Sequence, residues 1–122
     1  MAVNVQIFGV KNSQETRAAE RFFKERRVPV QMMDLGSRPM APGEIRRFTE
    51  RFGLAQLVDV AGKPYVDAGL QYMRMPDADL LARIEREPKL LRLPLVRAGN
   101  LLSFGRNEEA WSAMAAAVAP TR

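Results

Sequence analysis

The chain reads as an α/β protein in which a four-stranded mixed sheet is interrupted, between its second and third strands, by a helical insert. Three observations predict this. A strand–helix–strand run occupies residues 3–34; helical segments punctuated by proline and glycine fill about residues 38–91; and two short apolar runs flanking Ala98-Gly99-Asn100 precede a last amphipathic helix. A length of 122 residues suits a single domain spanning 1–122, able to bury roughly two-thirds of its unfolded surface in one core.

Val3, Val5 and Ile7 alternate with Asn4 and Gln6, the period of two that marks a strand, and the run ends at Phe8-Gly9. A helix follows. Asn12 and Glu15 have capping-box spacing, in which the cap oxygen takes an orphan amide and the glutamate reaches back. Ala18, Ala19, Phe22 and Phe23 then share one face, with Arg17, Glu20, Arg21 and Lys24 opposite. Residues 28–34 form the second strand, with Pro29 near its start, and a helical crossover implies that the two strands pair in parallel.

In the insert, Pro42 stands at a helix start, Ile45, Phe48 and Phe52 supply the buried stripe, and Gly53 ends it. Residues 55–75 are less periodic: a short helix around Ala55–Val60, a turn at Gly62-Lys63-Pro64, and another short segment before Pro76. Asp77 is expected to cap a helix bearing Leu80, Leu81 and Ile84, which must stop before Pro88. Leu93–Arg97 and Leu101–Phe104 form a hairpin, because Gly-Asn suits a primed turn. A final helix from about Glu108 carries Trp111, Met114, Ala115 and Val118 on one side. Met32, Met33, Met73 and Met75 read as core fillers, Trp111 as the anchor of the last helix, and Asp77 with Asp79 as helix-start residues rather than metal ligands. No repeat, linker or low-complexity tract interrupts this order.

The chain contains neither cysteine nor histidine. That removes disulfides, thiolate metal sites, redox steps on the protein's own sulfur, and any Ser-His-Asp arrangement. No leader-like opening and no stretch near the roughly 20 apolar residues of a membrane span is present, so a cytoplasmic protein without membrane contact is expected. A net charge of +5 invites a nucleic-acid reading. However, Lys24, Arg26, Arg27, Arg46, Arg47 and Arg51 are interleaved with Glu20, Glu25, Glu44 and Glu50, the mixed pattern of solvated helix faces, which argues against it.

Three segments in register carry a resemblance. Ile7-Phe8-Gly9-Val10-Lys11-Asn12-Ser13 resembles the opening of the arsenate-reductase-like (ArsC/Spx) family, whose members often read Gly-Ile-Lys-Asn-Cys there. Glu87–Val96 resembles the family's Asn-Pro, Leu-Leu, Arg-Arg-Pro segment, and Phe104–Glu109 its Gly-Tyr-Asn-Glu-Asp ending. The match runs over about residues 5–118 and implies a thioredoxin-like fold with an arsenate-reductase-like oxidoreductase ancestry.

The resemblance also marks departures. Ser13 stands where the family has its reactive cysteine; such a thiol at a helix start has its pKa lowered from about 8.5 to about 3.5–7.5, whereas an unactivated serine is a weak nucleophile. Serine cannot form the sulfur linkage that a glutathione or thioredoxin partner resolves. Lys11 is the nearest conceivable base, but nothing in the sequence around it promises the depressed pKa it would need. Leu93 occupies the place of one family arginine, Arg92 lies one residue earlier and is expected on the opposite face, and Asp59 falls near the place of a second; only Arg106 aligns with the third. By the resemblance Pro94 is cis, and Asn12, Ser13, Gln14 and Arg106 are the candidate anion-binding residues, with Lys11, Arg92 and Pro94 structural beside them.

Three functions follow. The leading one is a binding or regulatory protein that lacks the redox cysteine, needs no cofactor, and engages another protein; Spx-like relatives contact RNA polymerase, which makes a transcription-linked partner part of this expectation. The second is an arsenate-reductase-like or glutathione-dependent oxidoreductase, if Ser13 is an engineered replacement or an external thiol acts. The third is a small-oxyanion binder using the amides near Asn12–Gln14 with Arg106.

Overall fold

The computed structural model describes residues 4–118; Val3, counted above in the first strand, lies outside the described residues. Four strands, β1 (Val5–Gly9), β2 (Val30–Asp34), β3 (Leu95–Ala98) and β4 (Leu101–Phe104), form one sheet in the order β2-β1-β3-β4. β1 and β2 are parallel, with Val5 opposite Val30 and Gly9 opposite Asp34; β3 is antiparallel to both β1 and β4. This is the mixed four-stranded sheet of the thioredoxin-like fold.

Alternation along β1 sorts the core into two clusters, one on each face of the sheet. Val5 and Ile7 face α1 (Gln14–Glu25) and α6 (Glu108–Val118), where Ala19, Phe23, Val96 and Trp111 are fully buried. Phe22 stands edge-on to Trp111 at 5.5 Å between ring centres, tying the two helices together as an aromatic pair. Phe8 faces the other way, edge-on to Phe48 at 6.1 Å, and anchors the insert helices α2 (Pro42–Phe52), α3 (Leu54–Leu57), α4 (Lys63–Asp67) and α5 (Asp77–Arg86). Half-buried Arg97 on β3 reaches Glu44 of α2 at 3.3 Å, an ion pair that links the insert to the sheet.

Most elements fall where the periodicity puts them, with local corrections; the short helix expected around Ala55–Val60 is Leu54–Leu57. Gly62-Lys63-Pro64 opens α4 rather than forming a free turn, because proline's fixed φ suits a first helical turn. Pro76, extended at φ −59° and ψ 152°, occupies the position before α5, and Asp77 is the helix's first residue, with no side-chain cap bond. Val28 and Pro29 lead into β2 instead of belonging to it: Val28 N–H is bonded back to Phe23, and Pro29 has no N–H to give a ladder. Met73 is 52% exposed, not a core filler, because it follows a single 3-10 turn that buries Leu70 instead, while Met32, Met33 and Met75 are partly buried against the clusters.

Candidate functional site

The turn between β1 and α1 is built from Val10–Asn12 and closed by Ser13. Ser13 has extended dihedrals, φ −89° and ψ 122°, and its Oγ accepts the Thr16 amide at 3.2 Å, so Ser13 is the helix cap. The cap expected at Asn12 is therefore displaced by one residue. Glu15 then sits one residue too early to complete a capping box at Ser13, whose own amide donates instead to Val10 O at 3.1 Å. Its carboxylate still lies in the first turn, where the helix dipole favours negative charge.

Ser13 opens onto a cleft of about 550 Å³. Asn12, Ser13, Gln14 and Glu15 form one wall, and Asp59 and Lys63 of the insert, Lys89, Arg92, Leu93 and Arg106 are among the residues that line the remainder. Of the sequence-predicted residues, the cleft thus gathers Asn12, Ser13, Gln14, Arg92 and Arg106. Lys11 is not among the lining residues; it is exposed, and its carbonyl accepts from Arg17 Nη1 at 3.3 Å. Pro94 is fully buried and is not among the lining residues, and the Leu93–Pro94 peptide is cis.

The expectation for Arg92 is corrected. Leu93 is only 8% exposed and belongs to the apolar cluster that includes Phe8, yet it and Arg92 both line the cleft, so the one-residue offset does not carry Arg92 away from it. The two ends of this segment are held by Gly105, whose amide donates to Arg92 O at 2.8 Å and Pro94 O at 3.0 Å. Gly105 has φ +66°, a left-handed conformation that glycine adopts without strain, and the turn it allows brings Arg106 to the rim.

The charges of the cleft largely answer one another. Arg106 gives two bonds to Glu108 Oε2, at 2.7 and 3.1 Å. Lys63 pairs with Asp67 at 2.8 Å, and that hydrogen bond together with the carboxylate's charge raises its pKa above the ordinary lysine value. Lys89 and Arg92 have no ion-pair partner among the described residues, but Glu15 and Asp59 line the same space. Asp59 folds its carboxylate over Gly62, where a side chain's first carbon would meet Oδ2 at 2.6 Å. Lys63 and Lys89 are cleft residues that sequence reasoning missed; each stands beside a proline at the start of a short helical turn, a backbone signal that does not say which way the side chain faces.

The chain's likeness to known proteins agrees with this architecture. The YffB protein superposes with a TM-score of 0.80 over 91% of this chain and 98% of its own, at 17% identity. An arsenate reductase from Vibrio cholerae gives 0.75 over 93% and 99%, at 19% identity, and a possible arsenate reductase from Streptococcus mutans gives 0.72 over 93% and 98%, at 16% identity. No curated protein sequence matches the chain. The family description "ArsC family" matches residues 8–114, which include both walls of the cleft, and the chain accordingly belongs to the ArsC family, with no cysteine anywhere in it.

Proposed function

We propose that this protein is a non-catalytic binding or regulatory member of the ArsC family that engages another protein through the surface around the Ser13 cleft. The observation that carries the reading is the bond from the Thr16 amide to Ser13 Oγ, at 3.2 Å. The atom at the family's reactive position serves the helix start, and the chain has no sulfur nucleophile, no histidine to act as base, and no lysine that both lies beside Ser13 in sequence and lines the cleft. A thioredoxin-like surface without its redox atom retains what binding needs: a shaped cleft and two cations, Lys89 and Arg92, without ion-pair partners among the described residues. The partner in this reading is a protein, a transcription-linked one included, and no cofactor is required.

Affinity capture from the native host tests this when run with paired variants. The wild-type chain and an Arg21→Glu variant on the far helix face should capture the same partner, while Lys89→Glu with Arg92→Glu should lose it. Capture that survives the cleft variant would overturn the assignment of the surface.

A second reading, binding of a small oxyanion, is favoured by Arg92 joining Arg106 and Ser13 in one cleft. Arsenate, phosphate or sulfate would then raise the thermal midpoint, since a ligand of the folded state stabilises it. No rise at millimolar anion removes this reading. The oxidoreductase alternative, with glutathione or another external thiol, requires either a native cysteine codon at position 13 or turnover by the serine form.

A further inference from the structure

A second cavity lies in the insert, between α2 and α5. It measures about 200 Å³, and its walls are mostly apolar, with Ile45 of α2, Leu81 of α5 and Leu91, which also lines the Ser13 cleft, among the lining residues. An apolar cavity of roughly 150 Å³ is enough to hold a benzene-sized molecule, so this one accommodates a body somewhat larger. Its polar lining is sparse and opposed in sign. Arg46 stands on the α2 wall and Glu85 on the α5 wall, both exposed, and neither has an ion-pair partner among the described residues. The remaining polar side chain, Thr49, gives its hydroxyl to Arg46 O at 3.1 Å and so is satisfied within its own helix.

A cation and an anion that line the same cavity without touching each other suit a molecule that brings the complementary charges on one small apolar body. We infer that this cavity binds a free apolar α-amino acid of about the size of leucine, methionine or phenylalanine. The ligand's carboxylate lies toward Arg46, its ammonium toward Glu85, and its side chain in the aliphatic interior. A purely apolar ligand would draw nothing from either charge. An anion or a cation alone would answer one and be repelled by the other. The inference concerns the insert and does not depend on the reading of the Ser13 cleft.

Calorimetric titration and amide NMR of the full chain with leucine, methionine and phenylalanine test it. At least one should bind saturably, with shift changes concentrated at residues 35–49 and 81–91. N-acetyl-leucine and leucinamide each lack one charge, and the Arg46→Gln and Glu85→Gln variants each remove a partner, so each should weaken binding about tenfold, the loss expected for one charge-assisted hydrogen bond. Arg21→Gln, at an exposed position of α1, should leave the affinity unchanged. Since Arg46 and Glu85 are exposed, both variants should retain the wild-type spectrum elsewhere. No binding of any of the three at about 20 mM, a concentration at which even a millimolar site would be mostly filled, overturns the inference. So do blocked analogues that bind as well as free leucine, or variants with unchanged affinity.

Discussion

Thr16 lies so close over Gly9 that any side chain at residue 9 would overlap its Oγ1 and Cγ2. This contact seats the first turn of α1 on the end of β1 and thereby sets where Ser13 meets the cleft. Gly9→Ala should destabilise the fold by about 1–3 kcal/mol, the usual cost of overpacking. Thr16→Ala in that background should restore part of the loss, read from urea midpoints as a double-mutant cycle.

The Thr16 hydroxyl is buried and has no hydrogen-bond partner among the described residues. Thr16→Val removes an unsatisfied polar atom at nearly constant shape. It should raise stability by about 1 kcal/mol, measured by chemical denaturation.

Ser13 contributes to stability as a cap. Ser13→Ala should cost about 1 kcal/mol, whereas Ser13→Asp should hold the wild-type value, because aspartate caps equally well and suits the positive end of the helix. Ser13→Cys should give a thiol more acidic than the ordinary value of about 8.5, seen as iodoacetamide alkylation that persists to lower pH than in a free thiol. It should not give robust arsenate reduction, since Leu93 is packed in the core and Arg106 is held by Glu108.

Glu108 is the group that occupies Arg106. Glu108→Gln should free the guanidinium and strengthen any stabilisation by phosphate or arsenate relative to wild type, measured as a larger rise in thermal midpoint at the same anion concentration. An equal response in both proteins would show that Arg106 is not the limiting group.

The Lys63–Asp67 pair sets a pH dependence of known sign. Lys63 has its pKa raised by Asp67, so whatever the pair adds to stability is present below the ordinary lysine pKa, 10.5, and is lost as pH rises through the higher folded value. Because both side chains are well exposed, the effect should be small and reduced by salt. In an NMR titration, Asp67→Asn should bring the Lys63 midpoint down toward its ordinary value.

The frame of this fold is legible in the residues that must repeat. Val5 and Ile7 against Phe8, the two-residue turn at Gly99-Asn100, and the Trp111–Val118 face each follow from a period of two or of about 3.6. The site is legible only in part. Ser13 is recognisable by its place after Gly9, but whether Asn12 or Ser13 caps the helix turns on a single residue's dihedrals. Arg92 shows the same limit: strict alternation would send it and Leu93 to opposite faces, yet both line the cleft, because they precede β3 and are not held to a strand's period. The insert cavity is formed from Met40, Ile45, Leu81 and Leu91, which no local pattern brings together.

Turnover by the unaltered protein tests the central claim most directly. Purified from its native coding sequence, with residue 13 verified as serine, it is incubated with arsenate, glutathione, glutaredoxin and an NADPH-consuming reductase. The predicted result is NADPH oxidation no faster than in the reaction without the protein, with no glutathione adduct on the chain. Sustained oxidation that depends on both arsenate and the protein would contradict the account.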